Sequence, residues 1–221
     1  AFLMLRRMSL TGDAMAHAIL PGAALGFLVS GLNLYAMTIG GLIVGLLVAV
    51  GAGVVARATE IKEDASLAAF YLISLALGVL IVSLKGSNLD LLHVLFGTVL
   101  GIDNATLILI AAITSITLVT LAVIWRPLVL ECVDRAFLRG VSGLSPLMHY
   151  GFLVLVVFNL VCGFHALGTL MAVGIMILPA AAARLWAHRL APMLALASGQ
   201  AFASSVIGLL VSFHADVPAG P

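Results

Sequence analysis

The chain has 221 residues, of which 63% are hydrophobic and 9% charged, with a formal net charge of +1. A water-soluble domain carries about 25% charged residues, so this composition excludes a soluble fold and makes lipid the solvent for most of the chain. The small net charge also excludes a nucleic-acid partner held by a basic surface.

The chain opens on AFLMLRR, the tail of an apolar helix meeting a charged edge at Arg6 and Arg7. An apolar span follows over 11–32; it begins GDAMAHAILPG and carries Asp13, His17 and Pro21. The link SGLN leads to a second span over 35–56, and RATEIKED leads to a third over 65–84. The next apolar piece, LDLLHVLFGTVLG (89–101), is too short to cross a hydrocarbon core of ~30 Å. Four more spans are expected over 104–125, 147–164, 166–187 and 191–213, with IWRPLVLECVDRAFLRG, the turn CGFHALG and AHRLAP between them. The expected fold is an all-α polytopic helix bundle of about seven spans, forming one membrane domain over 1–221.

Charge decides what 89–101 does. With Arg6 and Arg7 in the cytoplasm, alternating spans put Arg57 and Lys62 inside. If 89–101 dips into the outer face and returns, Arg126, Arg135, Arg139, Arg184 and Arg189 are inside too, and only Lys85 is outside. Nine of the ten Lys and Arg residues then obey the positive-inside rule. A full span over 89–101 would put the last five arginines outside. A re-entrant helix needs protein or water around its backbone, so a bundle with a cavity is implied. Three GxxxG pairs, Gly22/Gly26, Gly41/Gly45 and Gly97/Gly101, suit close helix packing.

Asp13 and His17 are four residues apart and share a helix face. Ionisable groups within a bilayer are costly unless paired or wet, and they mark pathways. Carboxylate oxygen and imidazole nitrogen are ligands for Zn²⁺ and Mn²⁺. Pro21 lacks the N–H that the His17 carbonyl would accept, which favours a kink beside the pair. A packing hydrogen bond, or an Asp paired with the helix dipole, would also account for the spacing. His165, in the turn CGFHALG, and His93, beside Asp90, are weaker ligand candidates. His214, near Asp216 at the outer end, is as weak a candidate as His93, and His149 and His188 are explained by interfacial positions. Cys132 and Cys162 match no metal or disulfide spacing. No HExxH, GxSxG or GxxxxGK[ST] is present, so the chain reads as no enzyme, and energy from ATP would come from another chain.

Three stretches together resemble the zinc/manganese permeases of bacterial ABC importers. They are RRMSLTGDAMAHAILPGAALGFLVSG, DLLHVLFGTVLG and GTLMAVGIMILPAAAARLW, and the terminal VPAGP is similar to the loop before that family's last helix. The resemblance implies a multi-pass subunit of the bacterial inner membrane that pairs as a homodimer with cytoplasmic ATPases and an extracytoplasmic metal-binding protein. It implies that Zn²⁺ or Mn²⁺ is carried rather than held as a cofactor, with ATP on the partner. It also implies that Asp13 and His17 form the transmembrane metal site and that 131–143 holds a coupling helix touching the ATPase through Asp134, Arg135, Phe137, Arg139 and Gly140. From the residues themselves, Val133, Phe137 and Leu138 can form an apolar edge, with Gly140 and Gly143 ending the helix. Pro21 and Pro179 are the expected bends. One further helix is expected before Ala1 and one after Pro221. The rival readings are a permease for an iron chelate or a cobalamin-like vitamin, a passive cation channel, and an intramembrane enzyme using Asp13 and His17.

Overall fold

A computed structural model of the chain describes residues 2–5, 11–31, 33–84 and 104–215. The expected re-entrant segment, with His93, Lys85 and Gly97/Gly101, lies outside the described residues, as do Arg6 and Arg7. Among the described residues all regular structure is helical. The helices are α1 (Phe2–Leu5), α2 (Thr11–Ala18), α3 (Leu20–Ser30), α4 (Leu34–Ala58), α5 (Glu63–Leu84), α6 (Asn104–Val133), α7 (Arg135–Val141), α8 (Ser145–Trp186) and α9 (Leu190–Ala215).

Six segments are long and apolar enough to cross a membrane: Gly12–Ser30, Tyr35–Ala56, Asp64–Ile81, Asn104–Val133, Ser145–Phe164 and Leu190–Ala215. A seventh, Met171–Trp186, is shorter and covers about 24 Å at 1.5 Å per residue. Gly168, with φ 76° and ψ 170°, takes up the first turn of the span expected over 166–187. That conformation is open to glycine and closed to residues with a Cβ. The chain folds back there. A Cβ on Gly163 would lie 3.2 Å from the Cβ of Ala172, whereas nine residues of straight helix would separate them by roughly 13 Å. The two halves of α8 are therefore an antiparallel hairpin, as two separate spans require. Pro179 lies within helical backbone in the second half of α8, and the non-helical φ/ψ of this helix is at Gly168.

The span 104–125 is longer than expected. α6 continues through Pro127 to Val133, burying Leu128 and Glu131 against the bundle. A proline removes one helical hydrogen bond, and the apolar contacts of this extra stretch offset that loss.

The first half of α8 is the hub. Phe152, Leu153, Val156, Val157, Leu160 and Val161 are buried, packed by Met15, Ala18 and Ile19 from the first span, Ala49 and Ala52 from α4, and Leu67 from α5. α3 and α4 cross so closely that a Cβ on Gly22 would overlap the Gly40 carbonyl. Gly41 and Gly45 instead receive the Ile19 side chain, so the two GxxxG pairs serve different contacts. Asn33 begins α4, its side chain accepting from the backbone N–H of Tyr35 and Ala36.

The arginine-bearing ends gather on one side. Phe2 packs on Trp125 and Phe152, Arg184 hydrogen-bonds the Met4 carbonyl, and Gly53 near the end of α4 faces Tyr150. The segments around Arg57, Arg126, Arg184 and Arg189 thus share one end of the bundle, the arrangement that charge parity requires.

Candidate functional site

The first span is one run of helix with a fault in it. α2 ends at Ala18 and α3 starts at Leu20, with Pro21 in its first turn and Ile19 between them. Ile19 keeps helical backbone and its N–H still bonds the Met15 carbonyl, so the fault is the loss of the N–H that Pro21 would have donated to the His17 carbonyl one turn earlier. Asp13 and His17 lie on α2 just before Ile19.

His17 Nε2 is 3.6 Å from Asp13 Oδ1. That is too long for a direct hydrogen bond, which ends near 3.2 Å. The two side chains stand at the distance of an i, i+4 ion pair. Their side chains are 30% and 58% exposed respectively, so they open out of the single chain instead of sealing a core. Depth also separates them from the inner edge. The His17 ring lies 6.4 Å from the ring of Tyr71, and Tyr71 and Ser74 fall in the middle of α5. Beside the pair, Gly12 abuts Met176 and Ile177 of α8.

Two residues cannot complete a metal shell, and among the described residues no group of three or more His, Cys, Asp and Glu gathers to hold an ion. His165 falls inside α8, three residues before Gly168 and at the far end of the hairpin from the arginines. His214 sits near the end of α9, its Nδ1 2.8 Å from the Leu210 carbonyl. His188 is exposed at the start of α9. His149 lies near the start of α8 and is buried among the helices, its ring edge-on to Tyr150 at 5.2 Å. Glu131 and Ser145 are buried near the same end.

The loop 131–143 contains a true helix, α7. Asp134 is its N-cap, its side chain accepting from the Phe137 N–H at 2.8 Å. Gly140 lies inside the helix instead of ending it; Val141 is the last residue and Ser142 the C-cap. The expected apolar edge divides. Leu138 turns inward, 4% exposed, while Phe137 and Val141, one turn apart, are 54% and 70% exposed. Val141 went unnoticed in the sequence because an isolated valine before a serine carries no signal until the helix boundary is known.

Sequence reasoning also missed Tyr71, Ser74 and Asn159. Ser74 Oγ donates to the Ala18 carbonyl at 2.8 Å, and Asn159 Nδ2 donates to Thr117 Oγ1 at 2.9 Å and to the Leu155 carbonyl at 2.7 Å. A polar residue in the middle of an apolar span was the available sign.

Comparison with known proteins agrees with this architecture. A family model described as the ABC 3 transport family matches residues 1–221. The manganese import system permease protein ScaB of Streptococcus parasanguinis is 32% identical over 219 residues, covering 99% of this chain and 77% of that protein. The manganese transport system membrane protein MntC of Halalkalibacterium halodurans is 31% identical over 220 residues, 99% of this chain and 74% of its own length. A Haemophilus influenzae protein named "Probable iron transport system membrane protein" is 33% identical, with 99% and 79% covered. Among solved structures, PsaBC from Streptococcus pneumoniae in complex with Fab superposes with a TM-score of 0.83 at 32% identity, over 99% of this chain and 78% of that one.

Proposed function

We infer, because this chain belongs to the ABC 3 transport family, that it is the permease subunit of an ATP-driven importer whose cargo is Mn²⁺. The observation that carries this reading is the Asp13–His17 pair, within the first apolar span and open to its surroundings, with Nε2 and Oδ1 3.6 Å apart. Two ligand atoms about 2.1 Å from one ion stand about 3.0 Å apart at octahedral and about 3.4 Å apart at tetrahedral angles. The pair is a little wider than either, so a small closing movement of the two side chains would bring both onto one cation. Water or a second copy of the chain, in a homodimer, completes the shell, since Asp13 opens outward.

The names of the relatives ScaB and MntC support manganese as the cargo. Zn²⁺ suits the same donors, and the iron-transport relative supports Fe²⁺ as a second reading. In our reading the cation arrives from an extracytoplasmic binding protein, rests on Asp13 and His17, and leaves when a cytoplasmic ATPase changes the bundle. That ATPase holds the ATP and docks on Phe137 and Val141 of α7. Asp134 holds α7 in shape as its N-cap, while the loop arginines Arg135 and Arg139 flank the docking edge.

Uptake of radiolabelled Mn²⁺ by proteoliposomes holding the whole permease and its ATPase tests the site. Asp13→Asn and His17→Ala are each expected to cut uptake at least a hundred-fold while assembly and protein level stay normal, because each removes a ligand. Competition by Zn²⁺ and Fe²⁺ ranks the cargoes. Wild-type uptake by Asp13→Asn would end the metal-site reading.

A further inference from the structure

α5 grips the first span at three successive points, all beside its fault. Tyr71, Ser74 and Gly78 are spaced i, i+3 and i+7 and so share one face of α5. The Tyr71 ring lies against the His17 ring at 6.4 Å, tilted by 33°. The buried Ser74 hydroxyl donates to the carbonyl of Ala18, the residue after His17 and the last of α2. One turn further, a Cβ on Gly78 would be 3.2 Å from both Cδ and N of Pro21, so the lack of a side chain there lets α5 lie directly on the proline.

We propose that Ser74 is a positioning residue for His17, fixing the end of α2 so that the imidazole faces Asp13 close to ligand spacing. The proposal rests on the reading of Asp13 and His17 as the cation site. Its warrant is that the pair does not orient itself: at 3.6 Å no direct hydrogen bond joins the two side chains. The His17 carbonyl loses its helical partner to Pro21, so the turn that carries the ring is held by one hydrogen bond fewer than an ordinary turn. The Ser74–Ala18 bond ties the end to a neighbouring helix 56 residues away in sequence, and Tyr71 limits the ring from the side. Gly78 allows the approach that the bond needs. Any shift of α5 along its axis moves all three contacts together.

The test compares wild type, Ser74→Ala, Ser74→Thr and Asp13→Asn in the complete permease–ATPase complex in proteoliposomes, with radiolabelled Mn²⁺ as the probe. Loss of one buried hydrogen bond predicts a KM for Mn²⁺ about five-fold higher in Ser74→Ala, with kcat per assembled complex little changed. Ser74→Thr keeps a hydroxyl on the same Cβ and is expected to restore KM to within about two-fold. A merely structural serine would lower the yield of folded complex and leave KM alone. Wild-type KM in Ser74→Ala, or equal loss in Ser74→Ala and Ser74→Thr, overturns the proposal. If Asp13→Asn abolishes uptake while Ser74→Ala keeps its KM, only the positioning role fails. If Asp13→Asn transports normally, the cation site fails and this proposal falls with it.

Discussion

Asn159 and Asp13 are both polar side chains within apolar spans, yet they are held in opposite ways. Both amide hydrogens of Asn159 are used, one on Thr117 of α6 and one on the carbonyl of Leu155 in its own helix. Asp13 has His17 at 3.6 Å and an exposed carboxylate. A satisfied amide joins helices, whereas a carboxylate left open in lipid is costly and has to be met by something else. The two are therefore expected to respond differently to substitution. Thr117→Val removes the acceptor shared by α6 and α8, and should lower stability by about 1 kcal/mol, the size of an interhelical hydrogen bond in a membrane. Thermal unfolding in detergent measures this, and KM for Mn²⁺ should not move. An unchanged unfolding temperature would mean that the Asn159–Thr117 bond contributes nothing to the helix pair.

At the scale of elements, α7 separates two roles that lie side by side in the sequence. Leu138 faces the bundle and Phe137 faces away, because successive residues on a helix are about 100° apart. Phe137→Asp should leave folding intact and reduce Mn²⁺ uptake at least ten-fold, with ATP still hydrolysed, because a charge now lies in the apolar docking edge. Leu138→Asp should cost about 3 kcal/mol of stability by burying a charge, and lower the yield of protein. Uptake and ATPase rates per folded complex separate the two. Normal uptake by Phe137→Asp would remove α7 from the coupling path. The α3–α4 crossing makes the same point about faces: Gly22 is small because the Gly40 backbone occupies the place of its Cβ, while no atom lies within 4 Å of a Cβ on Gly140.

For the whole molecule, the hairpin at Gly168 is what keeps the arginines on one side. Were α8 a single straight rod, Arg184 would stand about 60 Å from the start of that helix instead of beside Met4. Cysteine labelling of intact cells tests the resulting topology in a background where Cys132 and Cys162 are replaced by Ser and Ala. A cysteine at Arg189 should react only after permeabilisation, and one at Ala215 should react from outside. Labelling of position 189 in intact cells would reverse the placement of α8 and α9.

The sequence by itself determined the solvent and the succession of apolar spans, and it singled out the residues proposed as the site. Composition, block length and the side on which arginines fall depend on transfer from water to lipid, a property that each residue carries with it. Asp13 and His17 were legible for the same reason: an acid and an imidazole four apart in an apolar run stand out against their surroundings. Only the tertiary structure decided where helices break and what touches the pair. The fold-back at Gly168 is a backbone state that any glycine could adopt, and the packing of Gly163 against Ala172 accompanies it here. The inward Leu138 and outward Phe137 depend on where α7 starts, which the Asp134 cap fixes. Tyr71 and Ser74 reach the first span from more than 50 positions away, as the separation of 56 between Ser74 and Ala18 records. Such contacts belong to pairs of helices, and no window along a single segment contains them.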